Sequence, residues 1–174
     1  MSKQRSNPFT LKTLFIILVA LSATLFLTLN GLLSKPFTVI QTPIIHCKIE
    51  HPQFGLLWIH SVDKTPWFEY YERQDQGFLL TETKFRTFGA GVPHAGEVLK
   101  KSEKSDHSLI HYRMNQLIPE INWVIDKDVR STIILPDDQH WEIYRTHERY
   151  SEVQIRNQPL NFWQRLLIRN CHES

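Results

Sequence analysis

The chain begins with a long apolar segment. Residues 13–34 carry no charged side chain, and their leucine, isoleucine, valine and phenylalanine residues would cover every face of a helix. A helix buried in a soluble domain normally keeps a polar stripe, so this pattern predicts a transmembrane helix. At about 1.5 Å per residue such a helix extends roughly 33 Å, which is enough for a hydrocarbon core of about 30 Å.

A cleavable signal peptide is the alternative interpretation of this segment. Its apolar stretch is typically about 7–15 residues long and ends at a small-residue site. Leu21-Ser22-Ala23 is a poor site of this kind, and further leucine and phenylalanine residues extend the stretch to Leu33, which favours an uncleaved anchor. Positive charges lie within residues 1–12. The positive-inside rule therefore predicts a cytoplasmic N-terminus, a single span at 13–34 and an extracytoplasmic domain at 35–174.

After the span the pattern changes to short apolar and aromatic runs separated by turn residues, as at 63–66 and 75–77. Alternation, or enrichment in β-branched and aromatic residues, predicts strands. These strands are predicted at 37–40, 44–49, 55–62, 67–73, 78–88, 109–113, 121–125, 129–135 and 152–155. The charged stretch 96–107 is predicted to be a surface loop.

The segment 160–169 has helical periodicity instead. One face of this helix would carry Phe162, Trp163, Leu166 and Leu167. That face either packs on the domain's own sheet or rests on the membrane surface. Together the patterns predict a mainly β domain, an antiparallel sandwich or open barrel, preceded by a transmembrane helix and followed by a short C-terminal helix.

Length and charge narrow the class of protein. A chain of 174 residues accommodates one domain with an appendage. The net charge is +2, and removal of Lys3, Arg5 and Lys12 leaves the remainder at −1. A near-neutral domain lacks the basic surface that nucleic-acid binding requires, so we expect no nucleic-acid partner.

The two cysteines are relevant to the cellular compartment in which the domain lies. Cys47 and Cys171 lie near the two ends of the predicted exported part. In an oxidising compartment an even number of cysteines indicates a possible disulfide, which would tie the C-terminus to the segment that leaves the membrane. Two unpaired thiols are the alternative.

The first predicted hairpin places a histidine and a glutamate together. If a two- or four-residue loop joins its strands, His60 lies directly opposite Glu69, with Cβ atoms about 4.5–5.5 Å apart. The same face would carry Trp58, Val62, Trp67 and Tyr71. An imidazole beside a carboxylate suits acid–base catalysis, capture of a substrate carboxylate, or a structural ion pair. A loop of odd length would put the two residues on opposite faces.

Two further motifs are candidate sites. Ser61 follows His60, but neighbours on a strand face opposite sides, so a serine–histidine dyad would need a bulge. Gly89, Ala90, Gly91 and Pro93 belong to a loop that either presents backbone N–H groups to an anion or simply turns at a sheet edge.

Cofactor and metal signatures are missing from the sequence. Nine histidines are present, yet no Cys-x-x-Cys, His-Glu-x-x-His or EF-hand spacing occurs. Gly-Ala-Gly is too short for a dinucleotide fingerprint. We therefore expect neither a metal nor a cofactor.

The motifs together resemble a known family. His60-Ser61-Val62, Glu69 and Phe88-Gly89-Ala90-Gly91-Val92-Pro93 are similar to the bacterial domain-of-unknown-function 1850 family, most clearly over residues 54–93. The resemblance implies a small exported or membrane-anchored protein encoded beside a TAXI-type TRAP transporter, which imports organic anions with an extracytoplasmic binding protein. It implies a setting at the bacterial inner membrane and no established biochemical activity.

The predicted anchor, its topology and this setting favour a non-enzymatic accessory protein on the periplasmic side of the inner membrane. It would contact the transporter or its binding protein. Two alternatives remain open: an anchored enzyme that uses His60 and Glu69 on a small carboxylate solute, and a module that binds a small organic anion at 89–93.

Overall fold

The computed structural model describes residues 8–86, 97–101 and 109–171. Helix α1 spans Pro8–Leu32. Within the described residues it is the one helix that is long and apolar enough to cross a membrane, over Thr10–Leu32, and none of that stretch is buried. The predicted apolar helix is therefore confirmed. It begins earlier than predicted, at a proline, because proline is well accommodated at the first helical position.

Twelve strands and a second helix follow in the described parts of the chain. They are β1 (Lys35–Gln41), β2 (His46–Ile49), β3 (Gln53–Ile59), β4 (Pro66–Gln74), β5 (Gly77–Phe85), β6 (Glu97–Lys101), β7 (Ile110–Ile118), β8 (Glu120–Val124), β9 (Thr132–Ile134), β10 (His140–Trp141), β11 (Glu152–Leu160), α2 (Phe162–Leu167) and β12 (Arg169–Asn170). The mainly β class and the short C-terminal helix are confirmed. Strand β6 lies where the charge run predicted a loop, because it pairs with β7 along the sheet edge.

Five strands form one sheet in the order β12-β2-β1-β11-β8. Its longest ladder is antiparallel and pairs β1 with β11, from Lys35 opposite Leu160 to Gln41 opposite Gln154. Strand β12 runs parallel to β2, with Arg169 opposite Cys47, which departs from the purely antiparallel prediction. The Cys47–Cys171 disulfide is formed at this point and holds the end of the chain beside β2.

Seven strands form the other sheet in the order β10-β9-β3-β4-β5-β7-β6, and each of its neighbouring pairs is antiparallel. The turn between β4 and β5 ends at Gly77, whose φ of +139° is a conformation that side-chain-bearing residues rarely adopt. A Cβ atom there would lie 2.3 Å from the carbonyl oxygen of Ile118. The turn predicted at 75–77 is therefore correct, and it requires glycine.

One hydrophobic core joins the two sheets. Ile40 and Ile155 of the five-stranded sheet and Phe54, Leu56 and Phe85 of the seven-stranded sheet all belong to it. Because both sheets contribute an inner face to the same core, the fold is a sandwich, one of the two predicted architectures. A second, smaller cluster lies on the other face of the five-stranded sheet and consists of Phe37, Val39 and Leu160, with Ile168 packed against it.

We expect the disulfide to contribute much of the domain's stability. The bridge joins residues 124 positions apart. Closing a loop of this length restricts the unfolded chain by about 4–5 kcal/mol. A Cys47→Ala/Cys171→Ala double variant should lose about that much free energy of unfolding in urea titrations of the full chain in detergent. A reductant should destabilise the parent and leave the double variant unaffected; equal stability of the oxidised parent and the variant would contradict this.

Candidate functional site

The hairpin formed by β3 and β4 has a different register from the predicted one. Trp58 lies opposite Trp67, and Leu56 lies opposite Glu69. His60 instead faces Thr65, since its backbone N–H donates to the Thr65 carbonyl at 2.8 Å. The predicted direct pairing of His60 with Glu69 is therefore wrong.

The reason lies in the turn, which is six residues long and covers 60–65. The Lys64 N–H donates to the His60 carbonyl at 2.9 Å, and Lys64 adopts a left-handed φ of 55°. The Asp63 N–H donates to Nδ1 of His60 at 3.3 Å. The turn is centred between Val62 and Asp63, two residues earlier than predicted, so the residue opposite Glu69 changes by four positions, from His60 to Leu56. Because that shift is even, His60 and Glu69 stay on the same face.

His60 packs at the end of a row of stacked rings on this inner face. Its imidazole stacks on Trp67 with ring centroids 5.5 Å apart, and Trp67 stacks on Phe85 at 4.9 Å. Phe85 in turn stacks on Tyr112 at 5.6 Å. The row crosses β4, β5 and β7, so the histidine ring covers the edge of an aromatic core.

Glu69 lies on the same face, between Trp67 and Tyr71. Its Oε2 accepts a hydrogen bond from the Tyr71 hydroxyl at 2.5 Å. Burial raises the pKa of Glu69, and the polar hydrogens of Tyr71 and Trp67 offset part of that rise. The Trp67 Nε1 is close enough to have this effect but has no well-formed hydrogen bond within the described part of the structure.

Tyr71 shares this environment. Its side chain is buried. Burial, followed by the charge of Glu69, raises the pKa of Tyr71, so the phenol keeps its proton and acts as a donor. The pair is thus a hydroxyl donor and a carboxyl acceptor on an apolar sheet face, which is the arrangement that a buried polar group needs for stability.

The other predicted site residues lie at or beyond the hairpin end. Ser61 is exposed in the turn, next to Val62, whose side chain is 73% exposed. Gly89, Ala90, Gly91 and Pro93 lie outside the described residues.

A closer imidazole–carboxylate pair lies elsewhere on the seven-stranded sheet. Nε2 of His111 lies 2.7 Å from Oε2 of Glu82, and Lys84 lies 3.4 Å from the same oxygen. Burial favours a higher pKa for Glu82, but His111 and Lys84 outweigh it, so the pKa is lowered. The sequence alone did not reveal this pair because β5 and β7 are not joined by a short turn and their register shifts at a bulge between Leu80 and Glu82.

No metal centre is found among the residues that the structure describes: no group of three or more histidine, cysteine, aspartate or glutamate side chains is placed to hold an ion. Among the described residues, the hairpin presents an aromatic face, one partly buried carboxyl group and an exposed turn.

Comparison with known proteins identifies a family. The family model described as "Domain of unknown function (DUF1850)" matches residues 54–140. This range runs from the start of β3 to the start of β10, so it covers the seven-stranded sheet almost completely, together with β8. No curated protein and no solved structure matches the chain.

The raised pKa of Glu69 makes stability depend on pH. Because the folded pKa lies above the ordinary value of 4.5, the folded state binds the proton more tightly, and stability is lost as pH rises from about 4.5 through the folded pKa. Glu69→Gln removes this loss. We expect the difference in Tm between the variant and the parent, variant minus parent, to increase from pH 4.5 to pH 7. A constant or decreasing difference would contradict the raised pKa of Glu69.

Tyr71→Phe is the matched test of the hydrogen bond. On the alkaline side of the Glu69 transition in that pH series it should cost about 1.5–3 kcal/mol of unfolding free energy, the usual range for a hydrogen bond to a charged group. In the Glu69→Gln background the same change should cost only about 0.5–1.5 kcal/mol, since both partners are then neutral. Equal costs in the two backgrounds would show that the hydroxyl does not bind an ionised carboxylate.

Proposed function

Because the chain belongs to the DUF1850 family, we propose that it is a membrane-anchored extracytoplasmic accessory protein that assists a solute uptake system. In this proposal residues 1–12 are cytoplasmic, 13–34 cross the bacterial inner membrane, and 35–174 form a periplasmic domain. The partner is a TAXI-type TRAP transporter or its binding protein, the setting that the family resemblance implies.

The anchor and the disulfide support this topology. An apolar helix of this length with no buried residue suits a lipid environment. Disulfides persist in oxidising compartments such as the periplasm, and Cys47–Cys171 lies entirely in the part that follows the helix.

The observation that carries the proposal is the position of the family-matched sheet relative to the anchor. Arg73 lies near the C-terminal end of β4, and its Nη1 donates to Oγ1 of Thr38. Thr38 lies only three residues after the start of β1. From Arg73 to Pro66, at the other end of β4, the strand extends about 23 Å. The turn at 60–65 therefore stands away from the point where the chain leaves α1.

That distal end is suited to contact a partner. The exposed turn lies against the 126–130 loop, since the Ile59 N–H donates to the Val129 carbonyl at 2.6 Å. Both segments lie within the family-matched range. A domain held at one end by its anchor presents the opposite end to the periplasm, so we assign the contact with the transporter or binding protein to the turn at 60–65.

The register of the hairpin does not favour the alternative in which the protein is an enzyme that uses His60 and Glu69. Glu69 lies opposite Leu56, four positions from His60, which corresponds to about 13 Å along the strand. His60 is engaged by Trp67 and Asp63, and Glu69 by Tyr71. Two groups so far apart and separately engaged do not form one acid–base unit.

We expect the anchor to remain attached. The mature protein should migrate at full length and stay with membranes after an alkaline carbonate wash, because removal of a transmembrane helix from lipid is too costly to occur spontaneously. A C-terminal alkaline phosphatase fusion should be active, as it requires the periplasm. A mature N-terminus near Thr24, or recovery of the protein in the soluble fraction, would contradict the anchor.

The contact itself is tested by co-purification of the tagged full chain in mild detergent. We expect a transporter subunit or its binding protein to be recovered, and Val62→Asp to reduce the recovery about tenfold, which corresponds to about 1.4 kcal/mol of binding free energy. Ile44→Asp is the matched control, because Ile44 is similarly exposed, at 64%, but lies outside the family-matched range.

Failure to recover any transporter component with the anchor intact would overturn the proposal. Equal loss with the Val62 and Ile44 variants would overturn the assignment of the contact to the turn.

A further inference from the structure

Helix α2 lies beside the point where the chain leaves α1. Only two residues separate Leu32, the last residue of α1, from Lys35, the first of β1. Lys35 pairs with Leu160, and the next residue, Asn161, caps α2. Helix α2 therefore begins close to the membrane surface, at the point where α1 leaves the membrane.

The apolar face of α2 is turned away from the protein. The exposed fractions of Phe162, Trp163, Leu166 and Leu167 are 45%, 51%, 64% and 84%. The alternative in which this face packs on the domain's own sheet is therefore wrong. The neighbouring residues Leu160 and Ile168 make that packing instead, in the cluster with Phe37 and Val39.

The domain holds this short helix in place by polar contacts. A helix of six residues is not stable on its own in water. Its N-terminus is closed by a capping box between Asn161 and Gln164. At its C-terminus the buried ammonium of Lys48 donates to the carbonyls of Arg165 and Ile168 at 2.7 and 2.9 Å. The helix is thus fixed with its apolar side chains outward.

A basic groove adjoins the helix. It has a volume of about 650 Å³, and its charged lining consists of Lys35, Lys48, Arg73 and Arg165 with a single carboxylate, Glu50. Phe162 and Leu166 of α2 line the same groove. The Arg165 Nε is buried and has no hydrogen-bond partner within the described residues. An excess of cations with an unsatisfied donor, next to exposed apolar side chains, is complementary to a phosphate group attached to acyl chains.

We propose that α2 and the basic groove form a docking surface for the periplasmic leaflet of the membrane that holds α1. The apolar side chains of α2 insert at the boundary between headgroups and acyl chains, and the groove binds the phosphate of an anionic phospholipid. This inference rests on the proposed topology, because it requires the anchor to remain in the membrane. It adds that the domain lies against the bilayer in a fixed orientation, so that the turn at 60–65 is held away from the surface.

Tryptophan fluorescence of the full chain tests the insertion. Trp163 belongs to α2, α1 contains no tryptophan, and the four other tryptophans belong to the β domain. The protein is reconstituted in vesicles of phosphatidylcholine and phosphatidylglycerol that carry bromine near the glycerol end of the acyl chains. We expect bromine to quench part of the emission, and this quenched component to be lost in Trp163→Phe. Leu166→Ser/Leu167→Ser should also lose it, without a change in Tm, since both side chains are exposed.

The charge of the groove is tested in the same assay. Quenching of Trp163 should be weaker in vesicles of phosphatidylcholine alone. Lys35→Gln/Arg165→Gln should reduce quenching in phosphatidylglycerol vesicles to that lower value. Lys64→Gln/Lys127→Gln removes the same charge from the distal end and is the matched control, which should retain the phosphatidylglycerol effect.

The outcomes separate the two proposals. A protein that does not float with the vesicles would overturn the anchor, and with it this inference. A protein that floats but shows the same quenching in the parent and in Trp163→Phe would overturn the docking of α2 alone. Equal behaviour of the two charge variants would overturn the role of the groove.

Discussion

The antiparallel pairing of β1 with β11 is the constraint on which the rest of the structure depends. It joins the segment that follows α1 to a segment more than a hundred residues later, and it forms the centre of the five-stranded sheet. Because β11 ends opposite Lys35, the C-terminal helix has to begin at the exit of the anchor. The disulfide then secures the last strand to β2, which is the neighbour of β1 in the same sheet.

Buried cations stabilise this junction. Lys48 is only 6% exposed, and a buried ammonium is tolerated only when its hydrogens are satisfied. Two carbonyls at the end of α2 accept from it, where a positive charge also favours the helix dipole. Arg73 bridges the two sheets in a similar way through Thr38 and the carbonyl of Ile49. The same charges that hold the junction together give the groove its basic character.

In our interpretation the two sheets have different roles. The family-matched range contains nearly all of the seven-stranded sheet, while α1, both cysteines, α2 and most of the five-stranded sheet lie outside it. The residues outside the family-matched range thus carry the features that relate to the membrane. The family-matched part carries the aromatic face, the partly buried carboxyl of Glu69 and the exposed turn. Such a division fits a domain that is positioned by one sheet and contacts its partner through the other.

The sequence by itself determined the apolar helix and the mainly β class, because composition and local periodicity are read without knowing any contact. It indicated a possible disulfide but left open whether Cys47 and Cys171 pair, which the tertiary structure decided. It also placed His60 and Glu69 on one face, since that depends only on whether the loop length is even. Tertiary structure decided the rest. The six-residue turn depends on a left-handed Lys64 and on the His60 side chain, which no common turn motif indicates. The Glu82–His111 pair depends on a bulged, non-local ladder. The direction of the α2 apolar face was decided by Lys48, Leu160 and Ile168, because helical periodicity is the same whichever side faces the protein.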